Sequence, residues 1–172
     1  DAPPDGVLDP DGRWLVLGAA GSHGSKVDGD ILAVHPGVDS AARRMVATEY
    51  DEGGSALSPD SRWLAYVSNE QGPHEVFVRP FPDVNGGRWQ VSSGGGSAPL
   101  WAHNGHELFY ISGKNMYVVQ LHPGLPFSAE TPRVLFQIPD RGRPAARGRG
   151  SFAITPDDHL CLMVQDNSWE GM

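Results

Sequence analysis

Short apolar runs recur along the chain, each directly behind the same polar turn. The turn reads Asp9-Pro10-Asp11-Gly12-Arg13 and returns as Ser58-Pro59-Asp60-Ser61-Arg62 and Thr155-Pro156-Asp157-Asp158-His159. A more distant copy is Ala102-His103-Asn104-Gly105-His106. Behind these turns come residues 14–17, 63–67, 108–111 and 160–164, apolar almost throughout. Proline presets the first corner, Asp or Asn tolerates the next, and glycine enters the left-handed region where the strand resumes. Each copy therefore predicts a tight hairpin turn feeding a strand. Ser61 and Asp158 stand where the other copies have glycine, a departure expected to cost those turns some stability. The runs are continuously apolar instead of alternating, which predicts strands covered on both faces.

Each unit continues in the same way. A third strand is predicted at 30–34, 75–78 and 115–119, and a fourth at 43–48, 88–92 and 133–136. Gly-rich links then open the innermost strand of the next unit at 53–57 and 95–101. Four strands with turn signals at a period of ~40–50 residues are the signature of a propeller blade, whereas an immunoglobulin-like sandwich does not repeat one turn at a fixed period. The expected fold class is all-β: a β-propeller, as a partial ring of about three complete four-stranded antiparallel blades plus half a blade. The units divide as blade 1 at 6–50, blade 2 at 51–95, blade 3 at 96–140, an Arg/Gly-rich loop at 141–150 and a partial blade 4 at 151–172. Such an arc is expected to present two uncovered blade faces and an edge strand, hence to seek the remaining blades of a parent ring or to self-associate.

Composition agrees and narrows the function. The 22 Gly and 15 Pro among 172 residues are dispersed, which suits many short strands and disfavours long helices. A formal net charge of −8 argues against a general nucleic-acid surface. Cys161 is the sole cysteine, so an internal disulfide and a cysteine-based metal knuckle are both excluded. No stretch approaches the ~18 consecutive apolar residues of a membrane span. Nothing signal-like follows Asp1, so any targeting element is expected outside these residues.

From Ser58-Pro59-Asp60-Ser61-Arg62-Trp63-Leu64-Ala65-Tyr66-Val67 through Glu75-Val76-Phe77-Val78-Arg79-Pro80-Phe81-Pro82, the sequence closely resembles the TolB-like, WD-type propeller repeats. Gly87-Arg88-Trp89-Gln90-Val91-Ser92, Glu107-Leu108-Phe109-Tyr110 and residues 127–136 extend the likeness to roughly residues 6 to 165. The wording is most similar to the C-terminal propeller region of bacterial membrane-anchored serine/threonine protein kinases. In that family catalytic lobes and a membrane segment precede a propeller on the extracytoplasmic side, so the resemblance implies a sensory or partner-binding module there. The Gly-rich phosphate loop, the His-Arg-Asp loop and the Asp-Phe-Gly motif are absent, and no kinase residue carries over. The same repeat also occurs in peptidase-associated propellers and periplasmic scaffold proteins, so the resemblance specifies fold more sharply than function.

Candidate chemistry is sparse. His103 and His106 occupy turn positions of the repeat, which reads as structure, since a zinc site needs three or four convergent ligands. No metal or cofactor is expected. No Gly-x-Ser-x-Gly elbow occurs, and Gly18, Gly21, Gly24, Ser25 and Lys26 have the wrong order for a phosphate loop, so they read as a flexible loop between second and third strands. Trp14, Trp63, Trp89 and Trp101 fall on strand positions and read as blade-to-blade packing. Arg141, Arg143, Arg147 and Arg149 place four positive charges in nine residues, either an anion or acidic-partner contact or a solvated loop.

Loops from several blades converge at a propeller's rim. The candidate binding residues are therefore Glu49, Tyr50, Asp51 and Glu52 from one inter-blade link, Ser97 from the next, and Arg147 and Arg149. The leading expectation is a non-catalytic module that binds a protein or small ligand at the rim, the sensory part of a larger bacterial signalling protein. The alternatives are the substrate-gating propeller of a serine peptidase and a propeller hydrolase or lyase in its own right.

Overall fold

The computed structural model describes residues 6–23, 26–124, 126–138, 152–155 and 160–162. Within them every regular element is a strand. The first sheet has the order β1-β2-β3-β4, from β1 (Gly6–Leu8), β2 (Leu15–His23), β3 (Lys26–Val34) and β4 (Arg43–Val46). The second repeats that order with β5 (Glu52–Leu57), β6 (Trp63–Ser68), β7 (Glu75–Pro80) and β8 (Trp89–Gln90). In the third, β9 (Ser97–Trp101), β10 (Glu107–Ser112) and β11 (Asn115–His122) lead to an outer position shared by β12 (Ser128–Ala129) and β13 (Arg133–Gln137). A two-stranded sheet of β14 (Phe152–Ile154) and β15 (Leu160–Leu162) follows. All pairings are antiparallel, and the architecture is a partial β-propeller of three full blades and part of a fourth.

The repeated turn organises each blade. Asp9, Ser58 and Ala102 each close it with two backbone bonds: the N–H donates to the carbonyl of Trp14, Trp63 or Glu107, and the carbonyl accepts from the N–H of Gly12, Ser61 or Gly105. The fourth turn position is left-handed each time: Gly12 at φ 68°, Ser61 at 57° and Gly105 at 72°. Ser61 bears that strain without being glycine because its hydroxyl donates to Asp9 Oδ2 at 3.0 Å in the preceding blade. Asp9 Oδ1 also accepts the Trp14 N–H at 2.8 Å, so one buried carboxylate closes its own turn and fastens the next. A second shared device lies in the innermost strands, where the register slips at the same place in blades 2 and 3. Gly54 at φ 56° and Ala98 at 51° make that bulge.

The core consists of seams between blades. In seam one, Val16, Ile31, Ala33 and Val46 of blade 1 meet Leu57, Leu64, Tyr66 and Phe77 of blade 2. In seam two, Trp63, Ala65, Val67, Val76 and Val78 meet Trp101, Leu108, Tyr110, Val119 and Leu121. A third cluster, around Phe109, Met116 and Val118, receives Ile154 of β14. Continuous apolarity in β6 follows directly, since its two faces serve two different seams and all six residues are buried. Trp14, Trp63, Trp89 and Trp101 are seam residues: the Trp63 ring centroid lies 4.8 Å from that of Phe127 and 5.9 Å from that of Trp89, while Trp14 sits edge-on to Phe81 at 5.2 Å.

One sequence expectation is corrected. Gly18, Gly21 and Lys26 lie on strands, not in a flexible loop, because β2 and β3 stay paired from Leu15↔Val34 out to His23↔Lys26. Gly and Ser carry no apolar periodicity, yet the ladder uses only backbone groups and continues through them. The corresponding hairpin of blade 2 ends at Ser68↔Glu75.

Candidate functional site

The ends of β2, β4 and β6 and the starts of β3, β5 and β7 meet on one face of the arc. Four of the seven residues singled out from the sequence lie in one link there. Glu49 and Tyr50 are exposed, Asp51 is half-buried and Glu52 is buried at the start of β5. The link is held from three sides. The Gly29 N–H donates to Asp51 Oδ1 at 3.0 Å, His74 Nε2 lies 3.1 Å from Asp51 Oδ2, and the Asp51 N–H donates to Asn69 Oδ1 at 2.9 Å. Gly29 is required for this approach, since a Cβ there would stand 2.2 Å from the Glu52 carbonyl oxygen.

Glu52 turns inward. Its carboxylate accepts the Thr48 hydroxyl, the Thr48 N–H at 3.1 Å and the Ser68 hydroxyl at 3.5 Å. Burial pushes its pKa above the usual carboxylate range; the Thr48 hydrogen bonds oppose the rise and the negative charge of Asp30 adds to it. Asp30, at the matching end of blade 1, is also buried. Its Oδ2 lies 3.8 Å from the exposed Arg44 guanidinium and its Oδ1 has no hydrogen-bond partner. Glu75 holds the same blade position in blade 2 and is fully engaged, by the Ser92 hydroxyl and by the Gly95 N–H at 2.8 Å. The arrangement is an exposed Glu49-Tyr50 edge, with the engaged Asp51 carboxylate beside it and two buried acids, Asp30 and Glu52, behind.

Ser97 is not part of this edge. It is half-buried in β9 one seam away, where its hydroxyl donates to the Ile111 carbonyl at 3.4 Å. Arg147 and Arg149 lie outside the described residues. Sequence reasoning missed Asp30, Thr48 and His74; the signal available was the acidic residue recurring at the start of the third strand, Asp30 and Glu75. His103 and His106 lie at the opposite end of blade 3 from its link, in a turn where the His106 N–H donates to Asn104 Oδ1 at 2.7 Å. Among the described residues no group of three or more His, Cys, Asp or Glu side chains is placed to hold a metal.

No protein-family model and no curated protein matches the sequence. Solved structures do match. The chain aligns over 91% of its length with 27% of a Mycobacterium tuberculosis puromycin-hydrolyzing peptidase, at 26% identity and a TM-score of 0.65. It aligns over 90% with 35% of TolB from Acinetobacter baumannii, at 14% identity and a TM-score of 0.60. A putative TolB from Agrobacterium tumefaciens matches 79% of the chain over 50% of its own length, at 17% identity and a TM-score of 0.59. The fold is thus a TolB-like β-propeller, and the chain spans from 27% to 50% of the length of these three proteins.

Proposed function

We propose that this propeller module is a non-catalytic binding domain of a larger bacterial protein, and that it recognises a cationic group, an amine or guanidinium of a protein or small ligand, at the edge between blades 1 and 2. The observation that carries the reading is the pair of buried carboxylates, Asp30 and Glu52, behind the exposed Glu49 and Tyr50 and the engaged Asp51. Charges held in low dielectric project a field that solvent screens weakly, and an exposed tyrosine ring adds a cation–π contact of about 0.5–1 kcal/mol. A lysine-rich peptide titrated calorimetrically into the chain tests it, beside the same peptide with acetylated lysines. The expected result is binding that weakens with salt and falls at least tenfold in Glu49→Gln/Asp51→Asn; equal binding of the acetylated peptide defeats the reading.

The kinase resemblance supports a sensory role for such a site, on the extracytoplasmic side of a membrane-anchored parent. A second reading, the substrate-gating propeller of a serine peptidase, is favoured by the 26% identity to the puromycin-hydrolyzing peptidase. The flanking coding sequence separates them: kinase motifs and a membrane span upstream support the sensor, and a Gly-x-Ser-x-Gly elbow downstream supports the gate.

A further inference from the structure

Blades 1 and 2 treat the acid at the start of the third strand differently. In blade 2 the Glu75 carboxylate is engaged at both oxygens, by the Ser92 hydroxyl at Oε2 and by the Gly95 N–H at Oε1, 2.8 Å away. In blade 1 strand register puts Ala47 in the place of Ser92, because Ile31 pairs with Val46 as Val76 bonds to Val91. Alanine has no hydroxyl to give, and Asp30 is one methylene shorter than glutamate. The Asp30 side chain is 4% exposed, yet its Oδ1 has no hydrogen-bond partner, and its Oδ2 lies 3.8 Å from the Arg44 guanidinium, beyond hydrogen-bond reach. A buried carboxylate oxygen left unpaired costs stability, and native proteins hold so few that each calls for a partner. A partner has a way in: Arg44 is 68% exposed, so the carboxylate lies one guanidinium's depth below solvent. The two oxygens of a carboxylate match the parallel N–H fork of a guanidinium, whereas an ammonium is a point charge without that fork. Arg44, at its distance, makes no such forked contact.

We propose that the Asp30 carboxylate is a binding site for a guanidinium, as an arginine side chain carries, and that Arg44 is an internal competitor which swings away when that ligand docks. The proposal deepens the cation reading of the edge between blades 1 and 2 and rests on it. It names Asp30 as the acceptor, selects guanidinium over amine, and gives Arg44 the part of a gate. The repeat itself shows what is wanted: the donors that satisfy Glu75 from within blade 2 have to reach Asp30 from outside.

The probes are N-acetylarginine amide and N-acetyllysine amide, titrated into the full chain while the amide resonances of Gly29, Asp30 and Ile31 report on this site. Arg44→Ala, an exposed substitution, should bind the arginine derivative at least about tenfold more tightly than the parent does, and at least about tenfold more tightly than it binds the lysine derivative. Adding Asp30→Asn to Arg44→Ala should abolish both differences. Should that double variant not fold, Arg44→Lys carries the same question, since its ammonium still competes over Asp30 and should hold binding near the parent's level. Equal binding of the two derivatives by Arg44→Ala, no gain over the parent, or a gain that survives Asp30→Asn overturns the proposal. The two readings of the edge fail separately. A lysine-rich peptide that binds through Glu49 and Asp51 but is indifferent to Arg44→Ala removes the Asp30 site alone, whereas a chain that binds neither the peptide nor the arginine derivative removes both.

Discussion

Gly29 packs against the backbone of the link carrying the candidate site, and replacing it with alanine tests how that link is held. The added Cβ would lie 2.2 Å from the Glu52 carbonyl oxygen and 3.0 Å from Asp51 Oδ1. Ordinary carbon–oxygen contacts begin near ~3.3 Å, so the overlap is about 1 Å and falls on backbone. Glu52 cannot retreat, because its strand is paired to Ser68 and its side chain is tied to Thr48. The hairpin of blade 1 must move outward instead, stretching the 3.0 Å bond from the Gly29 N–H to Asp51. Overpacking of this kind costs about 1–3 kcal/mol and the weakened hydrogen bond about 1 more. The sum, about 2–4 kcal/mol, corresponds to a fall in Tm of roughly 5–15 °C for a chain of this size. Gly53→Ala is the internal control: it sits next to Glu52, but its Cβ would meet nothing within 4 Å and its φ is not left-handed. Scanning calorimetry with urea titration should show Gly29→Ala strongly destabilised and Gly53→Ala within about 2 °C of the parent. Equal melting of the two variants would refute the account of the link.

Three further outcomes are expected. Asp9→Ala removes the acceptor for both the Trp14 N–H and the Ser61 hydroxyl, so urea unfolding should show a loss of about 1–3 kcal/mol, more than Ser61→Gly, which loses one bond but relieves a left-handed serine. The Glu52 carboxyl has its pKa raised by burial. The stability it contributes is therefore present below its unfolded pKa and is lost as pH rises through the folded one; Glu52→Gln should be more stable than the parent at neutral pH and should flatten the pH profile just above the ordinary carboxylate range. Tyr110 has its phenol pushed up to about 12, by burial first and then by Tyr117 and Glu75. Its stability contribution is intact below about pH 10 and is lost as pH rises toward the folded value, so Tyr110→Phe should delete the most alkaline phase of a tyrosinate absorbance titration and slow alkaline unfolding.

The period, the turns and the second strands were legible because they are local: a five-residue turn and the apolar run behind it carry their own instructions. What stayed hidden depends on residues far apart in the chain. The bond from Ser61 to Asp9 crosses 52 positions, so the sequence showed only a serine where glycine was expected and not the partner that makes it tolerable. The extension of β2 and β3 was missed because Gly18, Gly21 and Ser22 have no apolar pattern to read, although the backbone ladder needs none. At the candidate site the acidic link was found as a cluster. Its division into exposed Glu49 and Tyr50 and buried Glu52 follows from where β5 starts against Ser68, which composition does not encode.

The two seams are closed by different fasteners. Seam one is pinned at the turn end by the Asp9 carboxylate holding the Ser61 hydroxyl at 3.0 Å; in seam two the Trp101 indole N–H donates to the Ala56 carbonyl at 3.2 Å, within the aromatic packing. In mechanical terms the arc is a laminate with two dissimilar rivets, one polar at the margin and one embedded in the apolar layer. A load that peels the blades from their turn ends meets the first rivet at once and the second only after the surrounding layer has begun to part. At its turn end seam one should therefore yield abruptly when the Asp9 carboxylate lets go. Seam two should yield gradually, by delamination.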